Sequence, residues 1–274
     1  MKVWISVDME GIGGIGHPDP TERGDAGYPA AVALMLGEAN AAIEGAFGGG
    51  ATEVLVNDSH GSMFNLPAEA LDARAVLISG QKPWSMVTGA GPGQGVGVAL
   101  CVGYHVRAGH PTGTIAHTYS YGPTVTRLGG RLAGETAINA AVLGQWGVPI
   151  GMVSGDDMLA LETADWFPQA EAVVVKTAVS RRSAAFVHPS VARERVREGA
   201  RRAVEKAVAG DLSPLVVDPP VIVEVEYATA GQADYAAVVP LAERYGDRGV
   251  RIVGPDAETA YRGFLAGVRL AGLA

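Results

Sequence analysis

Asp8 and Glu10 stand two residues apart where an apolar opening stretch, Lys2-Val3-Trp4-Ile5-Ser6-Val7, runs into the glycine-rich turn Gly11-Ile12-Gly13-Gly14. Side chains two apart on a strand leave the same face, with Cα atoms about 7 Å apart. Two anions held that close disfavour each other unless a cation joins them. Later apolar stretches close on similar residues: His60 follows 53–57, His105 follows 96–103, Asp156 and Asp157 follow 150–153, and Glu135 opens a helical stretch. Imidazole and carboxylate together suit zinc or a similar first-row ion, whereas carboxylates alone suit magnesium. Two histidines with three carboxylates are too many for one tetrahedral zinc. They match two ions about 3.5–4 Å apart that share a bridging carboxylate and clamp a hydroxide against a carbonyl or phosphoryl group. Asp8, directly at a strand end, is the candidate bridge; its ordinary alternative is a helix N-cap or turn former.

His117 lies in Thr114-Ile115-Ala116-His117-Thr118-Tyr119, among small and hydroxyl residues. A free imidazole beside a metal site would serve as general base, nucleophile or carbonyl polariser, against the plain alternative of a hydrogen-bonded core histidine. His17, His110 and His188 sit in proline-containing loop stretches and read as surface residues. Asp156 and Asp157 read as N-caps or as partners of the ligands, and Lys176 is expected to pair with one of them.

These residues need elements that bring them to one place. Residues 2–7, 53–57, 75–79, 96–103, 150–153 and 172–175 read as short buried strands, and 113–121 as an extended run. Helices are expected over 29–47, 132–146, 189–209 and about 256–270, with a shorter one ending near Phe167. The strand–helix–strand order at the start generates parallel sheets, whose strand ends share one edge. The expected fold is a three-layer α/β domain with a mainly parallel sheet and helices on both faces, plus a smaller C-terminal α+β portion. A linker-like stretch at 210–220 separates a metal-binding catalytic domain, 1–210, from that portion, 221–274.

With 274 residues, 48% hydrophobic and 18% charged, the chain can bury a sizeable core and is not a disordered one. A net charge of −8 and no basic patch exclude a nucleic-acid grip. Cys101, the one cysteine, reads as a small buried hydrophobe. No signal-peptide pattern and no uninterrupted bilayer-length apolar run are visible, so a soluble cytoplasmic protein without a membrane partner is expected.

The phrases Ser6-Val7-Asp8-Met9-Glu10-Gly11, Val54-Leu55-Val56-Asn57-Asp58-Ser59-His60, Gly103-Tyr104-His105, Gly134-Glu135 and Ser154-Gly155-Asp156-Asp157, in this order over nearly the whole chain, resemble the D-aminopeptidase family of dinuclear zinc peptidases. The resemblance implies two zinc ions per chain, bridged by Asp8, with Glu10 and His105 on one and His60 and Glu135 on the other. It matches His117 to the family's proposed catalytic histidine, as nucleophile or base. It also implies release of N-terminal residues from short peptides inside a homodecamer of two stacked pentamers. The loop 13–28, with His17-Pro18-Asp19-Pro20, matches no family motif, and the choice between D- and L-residues stays open.

Two other functions fit parts of the pattern. A magnesium phosphatase of the haloacid-dehalogenase type would use Asp8-Met9-Glu10-Gly11 and the later acids. It would leave His60, His105 and Glu135 idle and place Lys176 after the acidic pair instead of before it. A non-catalytic metal-binding module would expect one closed, four-ligand zinc site, which this donor set fits poorly.

Overall fold

The computed structural model describes residues 1–274. In chain order the elements are β1 (Lys2–Val7), α1 (Tyr28–Gly48), β2 (Glu53–Asp58), β3 (Ala75–Ile78), β4 (Val96–Val102), β5 (Pro123–Leu128), β6 (Arg131–Leu132) and α2 (Glu135–Gln145). There follow β7 (Ile150–Asp156), α3 (Asp157–Trp166), β8 (Glu171–Ser180), β9 (Ser183–Phe186), α4 (Pro189–Ala209), β10 (Val221–Tyr227), α5 (Ala230–Ala236), β11 (Ala242–Tyr245), β12 (Gly249–Gly254) and α6 (Ala257–Ala271).

The first of two compact units holds Met1–His105, Thr112–Ile115 and Trp146–Pro214. Its seven-stranded sheet has the order β3-β2-β1-β4-β7-β8-β9, parallel except for the closing β9. Every residue from Val3 to Val7 is buried, as a central parallel strand covered on both faces requires. The chain moves outward from β1 to β2 and β3, then returns on the other side of β1 as β4. That reversal makes the carboxyl ends of β1 and β4 a topological switch point, where open α/β sheets bind ligands.

α1 and α4 pack on this sheet and on each other. Pro29 and Pro189 fit their first turns, and Gly210, at φ 81°, ends α4 in the left-handed conformation. A Cβ on Gly45 would lie 2.0 Å from the Arg197 carbonyl oxygen, so this seam depends on glycine. α1 is long and apolar enough to cross a membrane by length and composition, although Glu38, Asn40 and Glu44 interrupt its apolar run. It is instead a core helix: Ala31, Met35, Ala39, Ala42, Ile43 and Ala46 are buried in the main apolar cluster. Each large apolar side chain so buried contributes about 1.5–3 kcal/mol.

The second unit holds Val106–Pro111, Ala116–Gln145 and Leu215–Ala274. Its sheet, β11-β12-β10-β5-β6, is antiparallel throughout. In β10, Val221, Val223, Val225 and Tyr227 are buried while Ile222, Glu224 and Glu226 are half-exposed, the alternation of a sheet with one packed face. α2, α5 and α6 belong here, with α6 packed on β10 and β12. The sequence division at 210–220 assigns 106–145 to the first portion; in the structure most of that stretch is part of the second unit, because β5 pairs with β10. The extended run expected at 113–121 holds only an isolated bridge between Thr118 and Ser120, since Ile115 and Tyr119 take positive φ values of 51° and 60°.

Candidate metal centre

The end of β1 is built around a turn that only glycine allows. The Asp8 amide donates to the Val102 carbonyl at 2.8 Å, and the Gly11 amide to the Gly103 carbonyl at 2.7 Å, which ties the turn to the end of β4. A Cβ on Gly11 would fall 1.8 Å from the Tyr104 carbonyl oxygen. This close approach presents Asp8 and Glu10 beside His105, three residues beyond β4. Ligand atoms of Asp8, Glu10 and His105 lie within 4.8 Å of one another, and His105 Nε2 is 3.5 Å from Asp8 Oδ2.

His60 completes the group from the end of β2. Its Nδ1 is 3.2 Å from Asp8 Oδ1 and 2.9 Å from Glu10 Oε2. On its other edge Nε2 is 2.9 Å from the Thr21 carbonyl, an acceptor only, so Nε2 carries the proton. Nδ1 is thereby the nitrogen turned toward the carboxylates and available to a shared cation. Thr21 lies in the loop 13–28, so the stretch that matched no motif serves to orient His60. The following turn is fixed by Asp58, whose carboxylate accepts from the Asn65 amide at 2.6 Å, Asn65 Nδ2 at 2.7 Å and the Leu66 amide at 2.8 Å. Asn65 Nδ2 also donates to the His60 carbonyl at 2.7 Å.

Asp8, Glu10, His60 and His105 are all buried. Burial opposes a charged His60, but the charge of Glu10 and the contacts with Asp8 and Glu10 outweigh it and hold the imidazole well above its usual range. Two carboxylates that draw positive charge onto His60, together with the imidazoles of His60 and His105, have the donor chemistry of a zinc-type site.

The remaining two predicted residues meet in the second unit. His117 Nε2 is 3.8 Å from Glu135 Oε1, and the Tyr119 amide donates to that same oxygen at 2.6 Å. Glu135 is the first residue of α2, where the helix dipole favours a carboxylate. Tyr119 is held in its left-handed conformation by its hydroxyl, 2.5 Å from Asn139 Oδ1 and 3.0 Å from the Tyr261 hydroxyl.

As expected, Asp156 is the N-cap of α3, accepting from the Leu159 amide at 2.8 Å, and it also holds the Thr114 amide at 2.7 Å. Asp157 accepts from the Ala178 amide at 2.8 Å. Lys176 makes its hydrogen bonds with the carbonyls of Glu10, Ile12 and Ile15 and not with an acid, because three buried carbonyls of the first turn offer one acceptor to each ammonium proton. Burial pushes Lys176 down to about 8 against the upward pull of Asp156, Glu38, Glu10 and Asp8. Glu38, absent from the sequence-based set, is buried on α1 and accepts from the Gly13 amide at 2.8 Å. Burial raises its carboxyl to about 7. An acid on the apolar face between Met35 and Ala42 was its one visible signal. Burial pushes the Cys101 thiol up to about 12, as befits a packing residue.

The family model for D-aminopeptidase matches residues 1–266. The chain belongs to the D-aminopeptidase family. A D-aminopeptidase of Bacillus subtilis (strain 168) is 37% identical over 275 residues, covering 99% of this chain and 98% of that protein. A solved structure of a zinc-dependent D-aminopeptidase from Bacillus subtilis, described as a self-compartmentalizing protease, superposes with a TM-score of 0.92 at 36% identity, over 100% of this chain and 99% of its own. Membership in the D-aminopeptidase family, with the donor set above, makes this chain a metal-dependent aminopeptidase. The phosphatase and non-catalytic alternatives are set aside on the same findings.

Proposed function

We propose that this aminopeptidase releases N-terminal D-residues from short peptides with the help of two zinc ions per chain. Asp8 would bridge them, Glu10 and His105 would complete one site, and His60 and Glu135 the other. The observation that carries the reading is the buried group of Asp8, Glu10, His60 and His105 at the β1/β4 switch point. When bound, the ions would supply an activated water and Lewis acidity toward a carbonyl. The chain's own residues do the rest. The Thr21 carbonyl fixes the tautomer of His60, and the Tyr119 amide holds one oxygen of Glu135. His117, with Nε2 toward Glu135, would take or deliver a proton at that nitrogen, or act as the nucleophile. The D-preference rests on the relatives' names.

The family's self-compartmentalizing relative supports an oligomer here, and we extend this to a homodecamer. A single buried cysteine fits a cytoplasmic location. The test is hydrolysis of D-Ala-D-Ala and L-Ala-L-Ala by chain of measured zinc content. Cleavage of the D-peptide at two zinc ions per chain is expected. Cleavage of the L-peptide alone would overturn the D-preference, and full activity in chelator-treated chain would overturn the metal assignment.

A further inference from the structure

Lys176 is a buried charge for which the reaction gives no role. It stands on β8 in register with Asp156 of β7, and only 2% of it is exposed. Its Nζ nevertheless reaches the carbonyls of Glu10 at 2.5 Å, Ile12 at 3.3 Å and Ile15 at 2.6 Å. All three belong to the turn that carries the Glu10 carboxylate away from β1. The amides of that turn are held separately: Gly11 by Gly103, Ile12 by the Met9 carbonyl at 3.1 Å, and Gly13 by Glu38 Oε1. Glu38 and Lys176 also attract each other as charges, and the second oxygen of Glu38 has no hydrogen bond. The turn is thus gripped at its carbonyls by a cation and at one amide by a carboxyl oxygen, both from buried side chains. Lysine is seldom buried, because its charge costs solvation unless partners replace the water. Here one of the replacement partners is the backbone carbonyl of Glu10, the residue whose side chain offers a ligand oxygen, and the other two lie in the turn that follows it.

We propose that Lys176, with Glu38 beside it holding the Gly13 amide, is a positioning residue for the metal centre. It fixes the 10–15 turn and so sets where the Glu10 carboxylate stands relative to Asp8 and His105. The role rests on the metal reading of Asp8, Glu10, His60 and His105. It places Lys176 behind a ligand, in the position from which outer partners commonly tune a site. A neutral side chain of similar length, such as methionine, would leave three buried carbonyls without their donor and release the turn.

The experiment measures zinc affinity by chelator competition, together with kcat and KM, for the full-length wild type, Lys176→Met, Glu38→Gln and Val204→Ala. Val204 is a buried α4 residue that makes no hydrogen bond to the turn, so its variant reports the effect of lost packing alone. Lys176→Met is expected to weaken one of the bound ions by about 10–100-fold and to lower kcat with little change in KM. Glu38→Gln is expected to weaken the same ion by a smaller factor, and Val204→Ala to lose stability while keeping wild-type affinity and kcat. Wild-type affinity in folded Lys176→Met, or an equal loss in Val204→Ala, overturns the role. If Lys176→Met fails to fold, Glu38→Gln decides: weaker zinc binding supports the clamp, and unchanged binding overturns it. A wild type that takes up no zinc overturns the metal reading itself, which differs from a wild type that binds zinc beside a Lys176→Met that binds it equally well.

Discussion

In the first unit, Asp8 and His105 follow neighbouring parallel strands and His60 follows a third, so sheet topology alone gathers them. In the second unit, His117 lies in a loop outside any strand and Glu135 opens α2 after the two-residue β6, so no pair of neighbouring parallel strands brings them together. They meet because Tyr119 takes a left-handed backbone, donates its amide to Glu135 and anchors its hydroxyl on Asn139 and Tyr261. A parallel sheet supplies a site edge as a by-product of its construction. An antiparallel unit must hold each residue with local contacts, some of them strained.

That contrast can be broken by mutation. The largest effect is expected from Asp8→Ala or His105→Ala: zinc content should fall, and activity should drop by more than the roughly 10–100-fold typical of losing an outer partner. Metal analysis and a peptide assay on the same sample check it, and either variant with full zinc and full turnover would break the first group. His117→Ala should keep its zinc and lose turnover by about 100–10,000-fold, as expected for a proton-transferring group. Zinc lost with activity would instead make His117 a ligand.

Backbone contacts sharpen the comparison. Gly11→Ala would force a Cβ to within 1.8 Å of the Tyr104 carbonyl, and Gly254→Ala one to within 2.5 Å of the Ala260 amide nitrogen. Each should cost about 1–3 kcal/mol in urea unfolding. Only Gly11→Ala should also weaken zinc, because only that glycine shapes the turn bearing Asp8 and Glu10. Equal zinc affinity in the two variants would sever the turn from the site.

A pH-dependent effect belongs to Glu38. Its folded carboxyl titrates at about 7 because burial raises it from 4.5, so the folded chain holds this proton more tightly than the unfolded one. The stability it lends is complete below pH 4.5 and is lost as pH rises through 7. Between those values the wild type should lose about 3 kcal/mol relative to Glu38→Gln. Parallel pH–stability curves for the two proteins would show that Glu38 is ionised in the fold.

The first unit was far more legible in the sequence than the second. Val3-Trp4-Ile5-Ser6-Val7 and Val98-Ala99-Leu100-Cys101-Val102 are apolar on both faces, so their ends, and the acids and histidines after them, could be located. β5, Pro-Thr-Val-Thr-Arg-Leu, and β11, Ala-Glu-Arg-Tyr, mix polar residues into half-buried strands and escaped notice. The run 113–121 alternates like a strand, but positive φ at Ile115 and Tyr119 turns it into a folded loop. Thr21 acts through its carbonyl, which every residue possesses, so no residue type could announce it. Lys176 likewise acts on backbone oxygens brought close only by the fold, 161 to 166 positions away in the chain.

The most direct test is a zinc titration of metal-stripped, full-length chain, with hydrolysis of D-Ala-D-Ala followed at each addition. Activity that starts near zero, rises with added zinc and levels off at two ions per chain is the predicted result. Full hydrolysis before any metal is added, or saturation of binding with no hydrolysis at all, would contradict a catalytic metal centre built on Asp8, Glu10, His60 and His105.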